Sequence, residues 1–291
     1  DGTVAAAATL QTLVDAILIA GGPDYEYIDN TFIENNASGG QPGANIRAAF
    51  LYNPQRVSLV AGSVRSIADG DQAINPETPF FDARLPLVAE FRFNQQTVLI
   101  VNNHFSSKGG SAPILGVEQP FEELQEDPAV NGSLDERRDQ ATAVADFVDA
   151  VLAEDEQARV VALGDFNEFE FISPLKDILG RSLTNLTHTL PEDERYSYIF
   201  DGNSQSLDHI LVSEALLKKA EYDVVRVNAE FAATNQRASD HDPAVAQFEI
   251  KKSEPKGPLY KALKRLCDLL ERLFGKKSAA YQLCLLLLNQ L

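Results

Sequence analysis

The segment Val160-Val161-Ala162-Leu163-Gly164-Asp165-Phe166-Asn167-Glu168 constrains this chain more than any other. Arg159 to Leu163 is mostly apolar and β-branched, the pattern of a strand buried on both faces. Gly164 stops that run, and Asp165 and Asn167 stand where it ends. A carboxylate and a carboxamide two positions apart at a strand terminus suit a hard, oxygen-ligated cation or an attacking water. Asp and Asn are also ordinary turn residues, so the assignment depends on what the rest of the chain places at strand ends.

Three other segments have the same shape. Thr97 to Val101 is an apolar strand that ends in Asn102-Asn103-His104. Ser206-Leu207-Asp208-His209 opens the strand Ile210 to Val212, and Ser239-Asp240-His241-Asp242-Pro243 precedes the strand Ala244 to Ile250. The pieces "NHFSSKG", "GDFN", "SLDHILVS" and "SDHDPAV", in this order over residues 97–250, resemble the endonuclease/exonuclease/phosphatase superfamily. That superfamily includes pancreatic-type deoxyribonucleases, abasic-site nucleases and neutral sphingomyelinases. Tyr196 to His209, "YSYIFDG…SLDH", is similar to its secreted bacterial branch.

The resemblance implies phosphodiester hydrolysis, which needs an in-line water, charge neutralisation on phosphate oxygens and a proton for the leaving oxygen. It gives Asp165 the task of taking a proton from water or holding it near a metal. Asn167 would hold a phosphate oxygen or the metal, and Asp240 would be a metal ligand. His241 would contact the scissile phosphate, with Asp208 fixing its tautomer and favouring imidazolium. His104 would donate to the leaving oxygen or to phosphate, and Asn103 would support the phosphate. The implied cofactor is Mg2+, with Mn2+ or Ca2+ as alternatives. His209 alternates to the opposite face and His188 lies in a Thr-rich loop, so both are assigned structural places.

The same resemblance exposes a gap. The family's fold opens with a strand ending in Asn, a helix, and a strand ending in a metal-binding glutamate, and nothing here matches them. The chain is expected to start just after that glutamate, to lack one metal ligand and one phosphate contact, and to be weak or inactive in this form. Glu26 and Glu34 follow a helix rather than a buried strand and are poor replacements.

Charge narrows the partners. The 291 residues carry a net charge of −18. Residues 251–291 hold nine Lys/Arg against three Asp/Glu, a net of +6, so residues 1–250 carry −24. Tight non-specific binding to phosphate backbones needs basic surface, which argues against a nucleic-acid coat protein. A metal-dependent nuclease is still allowed, because divalent ions can carry the phosphate contact locally. Both cysteines, Cys267 and Cys284, lie in the last segment, so the body has no disulfide framework. No signal peptide or run of 18 apolar residues is present.

Along the chain, residues 3–20 have a helical apolar stripe that Gly21-Gly22-Pro23 ends. Leu87 to Phe93 and Thr97 to Val101 form a hairpin about Asn94-Gln95-Gln96. Residues 105–133 are expected to be a long polar loop, and Leu134 to Leu152 an amphipathic helix capped by Ser133 with Glu136 in support.

The expected fold is α/β, a two-layer β-sandwich of mostly antiparallel sheets flanked by helices, plus a C-terminal helical hairpin. Residues 1–250 form the nuclease-like domain, 251–258 a linker and 259–291 the hairpin appendage. The hairpin is expected to pack on the body or a second copy, burying Leu266, Leu270, Leu273, Leu285 and Leu288. Membrane contact is not expected. The resemblance implies an extracellular or periplasmic bacterial enzyme that hydrolyses nucleic acid, with DNA first. The alternatives are a phosphatase or phospholipase of the same superfamily, or a catalytically dead binding or scaffold module.

Overall fold

The computed structural model of the protein describes residues 4–33, 46–67, 75–113, 121–234, 237–252 and 257–288. In chain order the elements are α1 (Ala7–Ile19), β1 (Glu26–Ile28), β2 (Phe50–Tyr52), β3 (Ser58–Leu59), β4 (Leu87–Phe93) and β5 (Gln96–His104). Next come α2 (Phe121–Gln125), α3 (Leu134–Glu154), β6 (Arg159–Asp165), β7 (Thr184–Asn185), β8 (Tyr198–Phe200), β9 (Asn203–Gln205) and β10 (Asp208–Val212). The chain closes with α4 (Glu214–Leu217), β11 (Glu221–Val224), β12 (Ala244–Gln247), α5 (Pro258–Phe274) and α6 (Ala279–Leu288).

Six strands form the central sheet in the order β3-β4-β5-β6-β10-β7. The pair β5–β6 is parallel and is connected through α3, whereas β6–β10 and β10–β7 are antiparallel. Side chains alternate along β6. Val160 and Ala162 join Leu99, Val101 and the α3 residues Val144 and Val148 on one face. Val161 and Leu163 join Val98, Ile210 and Val212 on the other, against Tyr222, Ala244 and Ala246 of the β11–β12 ribbon. Each fully buried valine contributes about 1.5–3 kcal/mol relative to exposure. Further along that face, Ile28 and Phe50 of the β1–β2 ribbon cover Leu87, Ala89 and Phe91. The sandwich's second layer is therefore two separate ribbons on the central sheet rather than one continuous sheet.

Two local expectations change. Ser133 adopts φ 56° in the left-handed region and makes no side-chain cap. The entry to α3 is held instead by Arg137, which donates to the carbonyl of Gly132 at 2.8 Å and to Asn131 Oδ1 at 2.7 Å. The 105–133 connection carries the short helix α2, with its residues 114–120 outside the described set.

The chain divides into two compact units, one of Asp1–Phe93 with Thr97–Ile250 and one of Asn94–Gln96 with Lys251–Leu291. In the second, a disulfide between Cys267 and Cys284, with Cα atoms 5.6 Å apart, ties α5 to α6. It was not foreseen, and it staples the two helices to each other. Leu266 and Leu273 are exposed, so the hairpin alone does not supply the burial expected for them. No helix among the described residues is long and apolar enough to cross a membrane.

Candidate active site

Register brings the site together. In the parallel pair, His104 of β5 stands beside Asp165 of β6. In the antiparallel pair, Asp208 of β10 stands on the other side of the same Asp165. Three strands thus place His104, Asp165 and Asp208 in one row. Asp208 and Asp165 are separated by 43 positions in the sequence, yet they are direct cross-strand partners.

His241 completes the row from the segment before β12. Its Nδ1 donates to Asp208 Oδ2 at 2.6 Å, and Ser197 Oγ donates to the same oxygen at 2.6 Å. The Tyr198 ring lies against the imidazole, with centroids 4.6 Å apart and planes tilted by 30°. Burial alone would lower the His241 pKa, but the hydrogen bond and charge of Asp208 outweigh it and raise the value to about 8. The imidazole is therefore held as a cation at neutral pH with Nε2 free to act.

Asp165 is pushed the opposite way from an ordinary carboxylate. Burial, then the neighbouring Asp208 charge, raise its pKa to about 6, against the pull of His241 and the Asn167 N–H. That N–H donates to Asp165 Oδ1 at 2.8 Å, made possible by φ 50° at Asn167. The Asn167 carboxamide donates to the Phe105 carbonyl at 3.0 Å and to Asp165 Oδ2 at 3.3 Å. His104 Nε2 is 3.6 Å from Asp165 Oδ2. Burial and the Arg84 cation lower the His104 pKa to about 4, so this ring is neutral at pH 7. A base poised near 6 and a cation held to about 8 are the separated pair that acid–base catalysis needs.

Asp165, Asp208 and His241 each offer a ligand atom, all within 4.8 Å of one another. The Asp208 charge adds to burial in raising the cost of ionising Asp165, and a divalent cation beside Asp165 relieves it. The carboxylate oxygens of Asp165 and Asp208 are hard donors of the kind that Mg2+ or Mn2+ takes, while the protonated His241 ring stands beside them as a hydrogen-bond donor.

Not every sequence-derived residue joins. Asn103 is 2% exposed, and its carboxamide donates to the carbonyls of Val101 and Leu163 at 3.0 and 3.2 Å. It ties β5 to β6, and strand alternation turns it away from the side that His104 occupies. Asp240 is exposed and stands outside the three-group cluster. Asp208 takes the place expected of it, since cross-strand pairing rather than motif adjacency sets the distance. Glu26 accepts a hydrogen bond from the Tyr52 hydroxyl. Glu34 lies outside the described residues. His209 is buried against Asn185, Thr187 and the Glu168 carbonyl, a structural place as expected.

Sequence reasoning missed two features. Arg84 donates to the Phe105 carbonyl at 2.6 Å, and its charge acts on both Asp165 and His104. Its signal was a lone arginine just before the apolar β4. The second is a buried ion cluster. Glu168 is fully buried, with Arg137 at 2.9 Å and Lys108 at 2.7 Å, and Asn131 bridges them. Burial lowers the Lys108 pKa to about 8 despite its bond to Glu168. This cluster anchors the "SSKG" segment after His104 to the residue after Asn167. The alternating charges were visible, but their pairing was not.

The model of the Endonuclease/Exonuclease/phosphatase family matches residues 6–241. No curated protein sequence matches the chain. Among solved structures, TDP2 from D. rerio, complexed with single strand DNA product, is similar at 15% identity with a TM-score of 0.52. That match covers 84% of this chain and 82% of the other. The human Nocturnin catalytic domain is similar at 13% identity and TM-score 0.51, covering 84% and 76%. An endonuclease/exonuclease/phosphatase family protein from Bacteroides thetaiotaomicron has 17% identity and TM-score 0.50, covering 81% and 79%. At these identities the structures speak to the fold.

Proposed function

The chain belongs to the Endonuclease/Exonuclease/phosphatase family, a family of phosphoester hydrolases, and on that premise we propose that it is a divalent-metal-dependent phosphodiesterase acting on nucleic acid, DNA first. The observation that carries this reading is Asp165 set beside the Asp208–His241 pair by the β5–β6–β10 register. Asp165 accepts the proton of the attacking water. His241 donates from Nε2 to a phosphate oxygen, and Asp208 keeps its ring oriented and charged. Asn167 holds Asp165 in place through its backbone and carboxamide N–H groups, and Arg84 adds a cation near the same point. Asp165 and Asp208 would hold Mg2+, Mn2+ or Ca2+ through their carboxylate oxygens, and the ion when bound supplies Lewis-acid stabilisation of the phosphoryl oxygens.

A second reading, a phosphomonoesterase, is favoured by one observation. The body carries −24, and long polyanions are repelled by it more than a small ester is. Plasmid nicking and phosphomonoester release by the full chain, with Mg2+ and with chelator, separate the two. Magnesium-dependent nicking lost in Asp165→Asn supports the nuclease. Release from monoesters alone supports the second reading. Silence in both assays leaves a binding or scaffold module.

A further inference from the structure

The catalytic row opens onto a cavity of about 530 Å³, lined on one side by His241 and Asn167. Its size falls within the range of about 300–1,000 Å³ typical of small-ligand sites. The β8–β9 ribbon lines the cavity beside His241, through Tyr198, Phe200, Asn203 and Gln205. There Tyr198 and Phe200, two positions apart on β8, present their rings side by side with centroids 6.3 Å apart and planes only 14° apart. Tyr198 leans on His241, while Phe200 is 52% exposed and not needed by any core cluster. Tyr198 also packs on the cluster of Phe169 and Leu207, whereas the Phe200 ring that extends this flat aromatic surface is left open.

A second observation lies in the same cavity. Gln125 lines it and is 1% exposed, yet both its carboxamide nitrogen and oxygen lack a hydrogen-bond partner. A buried donor and acceptor left unpaired are costly, and such pairs are normally satisfied by a ligand or water. A carboxamide's adjacent donor and acceptor match the adjacent donor and acceptor on a base edge.

We propose that this cavity is a nucleobase subsite, in which Phe200 and Tyr198 stack the base next to the scissile phosphate and Gln125 meets its edge. The place of the phosphate rests on the phosphodiesterase reading above. Stacking on an aromatic side chain is tolerant of base identity, so the subsite distinguishes nucleotides from other phosphoesters rather than one base from another. It also gives an acidic protein a non-electrostatic hold on its substrate.

The sequence contains no tryptophan, so the full chain carrying Phe200→Trp has a single indole reporter at the ring in question. Titration with thymidylate is expected to quench it, and titration with ribose phosphate is not. No quenching, or equal quenching by both, overturns the proposal. In turnover, the ratio of kcat/KM for the p-nitrophenyl ester of thymidylate over methyl p-nitrophenyl phosphate is read. Phe200→Ala should lower this ratio about 5- to 150-fold, and Phe200→Tyr should keep most of it. Gln125→Leu should lower the ratio without lowering Tm, since removing unpaired buried polar atoms does not weaken the fold. An unchanged ratio in Phe200→Ala overturns the subsite. Quenching by thymidylate without hydrolysis of either ester leaves the subsite standing and overturns the phosphodiesterase reading instead.

Discussion

Gly164 of β6 lies so close to Asn103 of β5 that a Cβ built on it would stand 2.0 Å from the Asn103 carbonyl oxygen. Its φ of 129° is also a conformation that side chains rarely adopt. Only glycine lets the two strands meet one position before His104 and Asp165. Gly164→Ala is therefore expected to destabilise the fold by about 3 kcal/mol or more, combining clash and backbone strain. Urea unfolding checks this, and an unchanged midpoint would show that the strands can part at no cost.

Asp208 and His241 should act as one unit. Asp208→Asn and His241→Asn are each expected to lower kcat/KM by about 10²–10⁴, with the double variant little worse than the more damaging single one. Strictly additive losses in steady-state kinetics would mean that the 2.6 Å bond is not how either residue works.

The two histidines of the site should titrate on opposite sides of neutrality. In metal-free buffer, ring NMR signals of His241 should shift near pH 8 and those of His104 near pH 4, from the usual 6.5. For His104 the folded value lies below the unfolded one, so the unfolded chain binds more protons between them. Its contribution to stability is full above 6.5 and is lost as pH falls toward 4. Asp165, raised to about 6, works in the opposite direction, so the comparison must be between wild type and His104→Asn. Denaturation at pH 7 and pH 4.5 should find the variant gaining on wild type at the lower pH; a constant difference would contradict the burial of the ring.

Glu168 is the linchpin of the cluster behind the site. Glu168→Gln leaves Arg137, fully buried, without its counter-charge, and removing one partner of such a pair costs about 3–5 kcal/mol. Thermal melting of the variant would test this. A fall in Tm of only a degree or two would mean that Asn131 and the backbone carbonyls suffice to hold the guanidinium.

How much was legible before the fold was known can be judged residue by residue. The buried run 159–163 and its terminal Asp165 were plain, because apolar β-branched periodicity and a glycine stop are local properties. Asp208 and His241 were legible as a pair only through the resemblance, since nothing local says that positions 33 apart in sequence are 2.6 Å apart in space. The hairpin followed from helical periodicity, and the two-layer α/β fold from the resemblance. The division of the second layer into two ribbons did not, because ribbon pairing depends on contacts between distant segments. That His104 rather than its neighbour Asn103 stands beside Asp165 was a matter of strand register and facing. A shift of one residue reverses every side chain in a strand, and pattern alone leaves that shift open. Lys108, Arg137 and Glu168 were ordinary surface-type charges in the sequence. Only packing decided that they would be buried together, because a buried charge is tolerated when a partner from another element arrives beside it, and that arrival is a fact of tertiary structure.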